Sequence, residues 1–281
     1  MSAPDRSTTA GVAYLDLRKL AAKTNRPTDE LHQLYALEGF LHRLTLSPHH
    51  SSFVLKGGVL LAAYADRRAT RDIDLAGLQP HSDIESIRTT VTEIASIDLD
   101  DGLEFDLEQI EAETIRDDAD YPGIRAKITG RLATAVIRFH IDVNIGDPLW
   151  PGPQPVDLPR LLDPTPLTIA GYQAELILAE KIVTALQRGT ANTRWRDFVD
   201  IAALAHRSID TATIAEAIVR VAEHRETPLE PLAEVLDGYA VLAQPKWSAW
   251  RRKQQLGSTP ADFSDLLEEI VAFADPILAA L

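Results

Sequence analysis

The sequence predicts an α+β protein in which a sheet-containing N-terminal domain precedes an all-helical C-terminal domain. Strand-like patterns are confined to residues 52–145, whereas almost every segment beyond residue 170 has apolar side chains at helical spacing. Between these two regions, residues 147–168 contain seven prolines, which is typical of a crossing between domains. We therefore expect domains at residues 1–166 and 167–281.

The N-terminal elements follow from local signals. Thr28 is the expected N-cap of a helix that ends near Pro48, because apolar side chains then recur at helical spacing. A capping box of Ser82 and Glu85 starts another helix. That helix should turn the side chains of Ile84, Ile87, Val91 and Ile94 inward. The other expected elements are strands at 52–56, 71–76, 105–115, 123–129 and 135–145, and a buried helix at 59–65.

The strands at 123–129 and 135–145 alternate apolar and polar residues, which indicates a sheet with one covered face and one polar face. On the second strand, Asp142 shares the polar face with Arg138 and His140. Five helices should follow, at roughly 171–188, 194–206, 211–224, 229–242 and 261–280.

Composition narrows the class of protein. The chain is 45% hydrophobic and 25% charged, which is ordinary for a globular protein, and the absence of cysteine excludes disulfides and thiolate chemistry. No apolar run approaches the roughly 20 residues that span a bilayer, and the first residues lack a signal-peptide pattern. We expect a cytoplasmic monomer that has no membrane partner.

The most informative motif is Asp72-Ile73-Asp74, which follows a Lys56-Gly57-Gly58 turn. Residues i and i+2 of a strand point to the same face, so the two carboxylates repel each other and need a compensating partner. Mg²⁺ suits such oxygen ligands, Arg71 can compensate charge, and the glycines let the backbone approach a phosphate. The turn and the carboxylate pair together predict a metal-dependent nucleotide site.

Further acidic and basic residues extend this site. Asp142 is a candidate third carboxylate, because two-metal nucleotidyl transfer requires one near the first two. Lys181 lies on a predicted helix with Arg188 seven residues further on, and Lys181 could meet triphosphate oxygens. Asp197 and Asp200 lie three residues apart on the next helix.

Charge is distributed unevenly along the chain. The net charge is −14, but residues 98–120 alone hold eleven acidic residues and one basic residue. Residues 121–142, by contrast, carry four basic residues, Arg125, Lys127, Arg131 and Arg138, against Asp142 alone. An acidic total therefore leaves room for a local basic groove that binds nucleic acid.

These pieces in this order resemble the AbiEii family of toxins, which belongs to the DNA polymerase β-like nucleotidyltransferase superfamily and has the MenT toxins as close relatives. The resemblance covers roughly residues 40–205. The matching segments are Lys56 to Gly58, Thr70 to Asp74, Phe139 to Asp147, Ala174 to Arg188 and Arg194 to Ile201.

The resemblance implies a polymerase β-like nucleotidyltransferase domain on a mixed sheet, followed by a helical domain. It implies that Asp72 and Asp74 are metal ligands, that Lys181 contacts the nucleotide and that Asp197 is a later essential acid, although Asp200 is an open alternative. The superfamily usually has Gly-Ser at the turn; Gly58 takes the second position here, so one hydroxyl contact to phosphate is missing.

The implied activity is Mg²⁺-dependent transfer of a nucleotide from an NTP to the 3′ end of tRNA, which blocks translation, with a cognate antitoxin as partner. We keep three alternatives: a small-molecule acceptor, which the acidic segment 98–120 favours if that acceptor is polycationic; a protein acceptor; and a nucleotide-binding regulator without turnover. The intact carboxylate set argues against the regulator.

Thr70 is a candidate modification site. It lies two residues before Asp72, so its hydroxyl would face the carboxylates on an extended chain. A phosphate there would add about −1.5 to −2 of charge, which could capture the metal or repel the triphosphate. An ordinary β-forming residue at the start of a strand is an equal alternative.

Overall fold

The computed structural model describes residues 3–65, 69–78, 83–116 and 122–281. These residues form two compact units. The first contains the described residues up to Asp147 together with Pro153–Gly171, and the second contains Pro148–Gly152 and Tyr172–Leu281.

The first unit is built on an eight-stranded mixed sheet. Its strands are β1 (Phe53–Lys56), β2 (Asp72–Gly77), β3 (Leu103–Phe105), β4 (Glu111–Arg116), β5 (Pro122–Leu132), β6 (Ala135–Ile145), β7 (Gln154–Leu158) and β8 (Leu167–Gly171). The order is β3-β5-β6-β2-β1-β8-β7, and β4 also pairs with β5. The β2–β6 and β1–β8 pairs are parallel and the others are antiparallel, so the predicted mixed sheet is confirmed.

Four helices belong to this unit: α1 (Thr9–Thr24), α2 (Thr28–Leu46), the one-turn α3 (Gly57–Leu60) and α4 (Ile84–Ala95). Helix α2 packs on the apolar face of β6, where the rings of Phe40, Phe105 and Phe139 meet edge to face with centroids 6.0–6.3 Å apart. Thr28 is the first helical residue of α2 rather than its N-cap, which is Pro27. The helix predicted at 59–65 begins earlier, at Gly57, and continues as a 3-10 turn over Leu61–Ala63.

The start of α4 differs from the prediction by one residue. Asp83 is the N-cap: it accepts a hydrogen bond from the Ser86 N–H at 2.7 Å, and its own N–H donates to the Ser86 hydroxyl. Ser82 lies outside the described residues. The side chain of Ile84 is exposed, which corrects its expected inward position, whereas Ile87, Val91 and Ile94 are buried.

The two faces of the sheet are distinct, as the alternating pattern predicts. The apolar side chains of β5 and β6 that should face inward are buried: Ile124, Ala126, Ile128, Ile137, Phe139, Ile141 and Val143. The acidic segment predicted as one strand is two, because a 3-10 turn over Leu107–Gln109 separates β3 from β4.

Strand β7 lies inside the proline-rich segment 147–168 and β8 begins at its end; no strand is expected from sequence at either place. Val156, Leu158, Leu167 and Ile169 are buried at alternate positions. Because β7 is an edge strand, Pro155 removes no ladder hydrogen bond that the sheet interior needs. The first unit consequently extends to Gly171 rather than ending at residue 166.

The second unit is helical. Its helices are α5 (Ala174–Arg188), α6 (Trp195–Ala205), α7 (Thr211–His224), α8 (Leu232–Val235), α9 (Tyr239–Lys253) and α10 (Phe263–Leu278). The segment predicted as one helix at 229–242 is therefore divided between α8 and α9, with Gly238 in the left-handed conformation at the break. Trp195, Trp247 and Phe263 form an aromatic core. Among the described helices, none is long and apolar enough to cross a membrane.

A buried guanidinium ties α2 to the segment before β3. Arg43 pairs with Asp101 at 2.6 Å and also donates to the carbonyl oxygens of Gly39, Ile97 and Leu103. Its side chain is only 2% exposed, so these acceptors replace the water that the charge loses on folding.

We predict that Arg43→Ala lowers the free energy of unfolding by about 3–5 kcal/mol, because it leaves Asp101 as an unpaired charge in a largely buried position. Urea unfolding followed by circular dichroism measures this loss. Arg88→Ala, which removes an exposed i,i+3 pair with Glu85, is the control and should leave the unfolding midpoint almost unchanged. Equal effects of the two substitutions would contradict the assigned role of Arg43.

Candidate active site

Three carboxylates converge on the polar face of the sheet because of the parallel pairing between β2 and β6. In that register Asp72 lies opposite His140, and Asp74 lies opposite Asp142. Asp72 and Asp74 are two residues apart on β2 and therefore share this face. The structure thus brings together the three acids that the sequence predicts as a metal site.

The same register continues as a row of charged residues across the sheet. Lys56 of β1 lies opposite Asp74, Arg125 of β5 lies opposite Asp142, and Glu113 of β4 lies opposite Arg125. Two adjacent acids at the centre are therefore flanked by a base on each side. This order allows each flanking cation to offset one member of the central pair.

The two flanking cations have specific partners. Arg125 binds both oxygens of Asp142, with Nε–Oδ1 at 2.8 Å and Nη2–Oδ2 at 2.6 Å. Lys56 donates to Asp147 at 2.7 Å, and both of these side chains are largely buried. Asp142 is itself buried, so its fork-shaped contact with Arg125 satisfies a charge that has little access to water.

Asp74 lies in an electrostatic conflict. Burial raises its pKa, and the nearby Asp142 and Asp72 carboxylates raise the pKa further, whereas Lys56 and the Gly58 N–H oppose this shift. The surroundings of Asp74 therefore disfavour its ionised form and only partly compensate that charge.

The glycine turn is fitted closely around Asp74. Gly57 has φ of +67°, and a Cβ atom at this position would lie 1.9 Å from Oδ2 of Asp74. No other residue fits both the left-handed backbone and this approach without displacing the carboxylate. The turn places the backbone of Gly57 and Gly58 directly beside the predicted metal ligands.

The residues around Asp72 are more accessible. Nδ1 of His140 lies 3.1 Å from Oδ1 of Asp72, and both side chains are about two-fifths exposed. Arg71 is exposed immediately before β2. Thr70 is buried, with 7% of its surface exposed, so a kinase would reach its hydroxyl only after local opening of this segment.

The donor set fits a hard divalent cation in its chemistry, since Asp72, Asp74 and Asp142 offer oxygen ligands and Asp74 needs positive charge. Its geometry differs from the prediction in one respect. Across residues 3–65, 69–78, 83–116 and 122–281, no three His, Cys, Asp or Glu side chains are arranged to hold a metal ion. Arg125 holds the third predicted ligand, Asp142, so Asp142 would have to leave Arg125 to reach a cation.

The helical unit contains the other predicted site residues as a separate cluster. Lys181 of α5 donates to Asp197 of α6 at 2.6 Å and pairs with Asp200 at 2.9 Å. Arg194 also donates to Asp197, at 2.7 Å. Burial alone would raise the pKa of Asp197, but Lys181 and Arg194 lower it below its ordinary value.

The geometry of this cluster does not distinguish Asp197 from Asp200 as the later essential acid. Asp197 and Asp200 lie nearly one turn apart on α6, and both contact the same ammonium group. Arg188 lies in the last turn of α5, two turns beyond Lys181. The predicted residues therefore divide between the two units, with the carboxylates and the glycine turn in the first and this lysine cluster in the second.

Two contacts of the site are absent from the sequence-based prediction. Arg125 is expected there as part of a basic face, not as the partner of Asp142, and Asp147 has no expected role although it binds Lys56. The alternation of β5 and β6 contains the signal for the first contact, because a short β5–β6 connection fixes which residues lie opposite each other. The second contact depends on chain geometry after β6 that no local pattern specifies.

We predict that Asp74→Asn raises the melting temperature by a few degrees at neutral pH in the absence of divalent cations. Because the pKa of Asp74 is higher in the folded state, its ionisation costs stability as pH rises above the ordinary value of 3.8. The gain should therefore shrink as pH falls toward that value. Differential scanning calorimetry at about pH 4 to pH 8 measures this difference in melting temperature.

Asp72→Asn is the matched control for this measurement, because it changes the same chemical group on the same strand face at a position that is 41% exposed. It should give no comparable gain. A lower melting temperature for Asp74→Asn at neutral pH would show that the conflict at Asp74 is already compensated.

Comparison with known proteins agrees with this geometry. The model of one family, described as nucleotidyl transferase AbiEii toxin of a type IV toxin–antitoxin system, matches residues 39–269. The matched region includes the carboxylate row, the glycine turn and the lysine cluster. The comparison with curated proteins gave no match.

One solved structure shows the same fold. The crystal structure of JHP933 from Helicobacter pylori is 16% identical, with a TM-score of 0.52, and the similarity covers 90% of this chain and 93% of that one. A second H. pylori protein, described as a candidate nucleotidyltransferase, is 15% identical with a TM-score of 0.49 over 90% of this chain and 96% of that one. Because the family match extends over most of the sequence, the chain belongs to the AbiEii nucleotidyl transferase toxin family.

Proposed function

We propose that this toxin transfers a nucleoside monophosphate from an NTP to the 3′ end of tRNA, using Mg²⁺, and thereby blocks translation. Family membership makes the chain a nucleotidyltransferase of a toxin–antitoxin system. The observation that carries the finer proposal is the row in which Asp74 and Asp142 lie side by side, with Asp72 on the same face. Such a row suits the handling of a polyphosphate through a divalent cation.

In this proposal the residues of the first unit bind the metal and the triphosphate. Asp72 and Asp74 would hold Mg²⁺, and Asp142 would join them. When bound, Mg²⁺ would neutralise triphosphate charge and make the attacking hydroxyl of the acceptor more acidic. The backbone of Gly57 and Gly58 would accept close approach of a phosphate.

Two cations complete the proposed site of the first unit. The buried Lys56, held by Asp147, would add fixed positive charge beside Asp74. Arg71 is exposed immediately before β2 and would reach a nucleotide from the edge of the site.

In the second unit, the family resemblance assigns nucleotide contact to Lys181. Lys181 would offset negative charge as pyrophosphate forms, with Arg188 as a further phosphate contact. Asp197 and Asp200 hold the Lys181 ammonium from two sides and would orient it. This assigns the two acids a shared positioning role rather than direct contact with the substrate.

The acceptor is the least constrained part of the proposal. Arg131 and Arg138 are exposed on β5 and β6, which favours a polyanion such as RNA. Lys127 is engaged by Glu113 at 2.7 Å, so the basic face is partly neutralised. A small-molecule acceptor, a protein acceptor and a regulator without turnover stay as alternatives, and the antitoxin is the expected partner.

The most direct experiment incubates the purified protein with total tRNA and each α-labelled NTP in turn. Label at RNA 3′ ends would establish the reaction and the nucleotide together. Label on an added aminoglycoside or on a protein, with none on RNA, would replace tRNA with that acceptor. Nucleotide binding without label transfer to any acceptor would favour the regulator.

We predict that Asp72→Asn lowers the rate of transfer by at least about a hundredfold, because it removes a charged ligand that the transition state requires. The change preserves side-chain shape, so the melting temperature should stay close to that of the unmodified protein. Single-turnover assays with labelled NTP measure the rate, and Asp157→Asn on the edge strand β7 is the control. Near-normal transfer by folded Asp72→Asn protein would rule out the metal site at this position.

We predict that Lys181→Ala lowers kcat/KM for the NTP by about a hundredfold while leaving tRNA affinity within about twofold. The physical reason is that a positioned ammonium acts on triphosphate charge and not on the acceptor. Kinetic assays and filter binding measure the two quantities. Lys246→Ala, which removes an exposed lysine from α9, is the control, and unchanged NTP kinetics in Lys181→Ala would leave the lysine with a purely structural role.

A further inference from the structure

Arg125 donates hydrogen bonds to the Asp142 carboxylate, which is one of the three ligands of the proposed metal site. Its fork contacts both oxygens of Asp142, at 2.8 and 2.6 Å, and the two residues lie directly opposite each other on β5 and β6. The Asp142 side chain is 12% exposed and that of Arg125 is 32% exposed. Arg125 is therefore the more exposed member of the pair, and Asp142 is the more buried one.

This contact and a metal ion make the same demand on Asp142. A carboxylate that accepts two parallel hydrogen bonds from a guanidinium has both oxygens engaged, with the strongest geometry available to that pair. A cation shared with Asp74, the register neighbour on the other side, would need one of those oxygens. Asp142 therefore cannot keep both hydrogen bonds from Arg125 and ligate a cation at the same time.

The row also contains an alternative partner for the guanidinium. Glu113 lies opposite Arg125 on β4, on the side away from Asp142, and is half exposed. Glu113 already accepts a hydrogen bond from Lys127, two residues from Arg125 on the same face. A released Arg125 would find a carboxylate within its own row and would not be left unpaired.

We propose that Arg125 is a latch on Asp142 that competes with the divalent cation: Arg125 holds the carboxylate in the metal-free protein, and cation binding transfers Asp142 to the metal and Arg125 toward Glu113. This inference rests on the proposed metal-dependent function and adds a positioning residue to it. It accounts for the finding that three converging carboxylates do not form a ready metal cluster among the described residues.

Cation binding alone can test the proposal, because a latch and a supporting residue predict opposite changes in cation affinity when Arg125 is removed. If Arg125 held Asp142 in the position that the metal requires, its removal would weaken cation binding. If Arg125 is a latch, its removal strengthens binding. Arg125→Gln removes the charge and retains a polar side chain. Arg131→Gln is the matched control, because it removes an exposed charge on the same strand and face without altering the partner of Glu113.

The experiment titrates Mn²⁺ into each protein without nucleotide and follows free Mn²⁺ by electron paramagnetic resonance. We expect Arg125→Gln to bind Mn²⁺ about tenfold more tightly, as loss of a competing charge-assisted bidentate bond implies. Arg131→Gln should change the affinity by less than about twofold. The gain should vanish in the Asp142→Asn background, since the double-mutant cycle isolates the Arg125–Asp142 contact.

Arg125→Lys is a second variant, which keeps the positive charge but cannot make the bidentate contact of a guanidinium. Its affinity for Mn²⁺ should lie between that of the unmodified protein and that of Arg125→Gln. Thermal unfolding of every variant verifies that each is folded. Equal gains in Arg125→Gln and Arg131→Gln would overturn the latch in favour of general electrostatics, and so would a gain that survives Asp142→Asn. Weaker binding in Arg125→Gln would assign Arg125 to supporting the metal site.

These outcomes are separate from failure of the proposed function. Mn²⁺ binding that Asp72→Asn abolishes but Arg125→Gln does not improve would retain the metal site and reject the latch. The expected affinity pattern without label transfer to RNA would retain the latch and reject the tRNA reaction. No Mn²⁺ binding in any variant would overturn both the latch and the metal dependence.

Discussion

The architecture of the sheet unit depends on the parallel pairing of β2 with β6. This one register forces Asp74 and Asp142 together on the polar face, where burial makes their repulsion costly. The neighbouring features can be understood as responses to that constraint. Lys56 and Arg125 flank the pair, and the glycine turn allows a backbone N–H to reach Asp74. A sheet arranged for stability alone would not contain this concentration of like charge.

The helical unit contains a charged cluster with the opposite arrangement, in which one cation contacts two acids. There a single ammonium, Lys181, is surrounded by two carboxylates, and Arg194 returns some positive charge to Asp197. Each unit therefore carries a compact charged cluster whose members constrain one another. In both clusters most members lie on facing secondary-structure elements, which is the condition for accurate placement of functional groups.

Much of this arrangement is readable from the sequence, and the failures have identifiable causes. The α+β class, strand β6 and the shared face of Asp72 and Asp74 follow from period-two alternation. Strand β7 escapes prediction because Pro155 outweighs a short alternating pattern, although an edge strand tolerates proline. Strand β8 escapes it because its five residues lie between the last proline of this segment and α5. The capture of Asp142 by Arg125 is a cross-strand contact, so it depends on register and not on any residue's neighbours in sequence.

The course of the chain near Trp150 has a consequence for how this protein is made and divided. The chain leaves the sheet unit after Asp147, contributes Pro148–Gly152 to the helical unit, and returns for the last two strands. On the ribosome, five residues of the second unit are thus synthesised before the first unit is complete, and the indole of Trp150 must wait for Arg220 to emerge before their stacking contact can form. No single cut separates the two units: a fragment beginning at Tyr172 would lack that indole, and one ending at Asp147 would lack two strands of its own sheet.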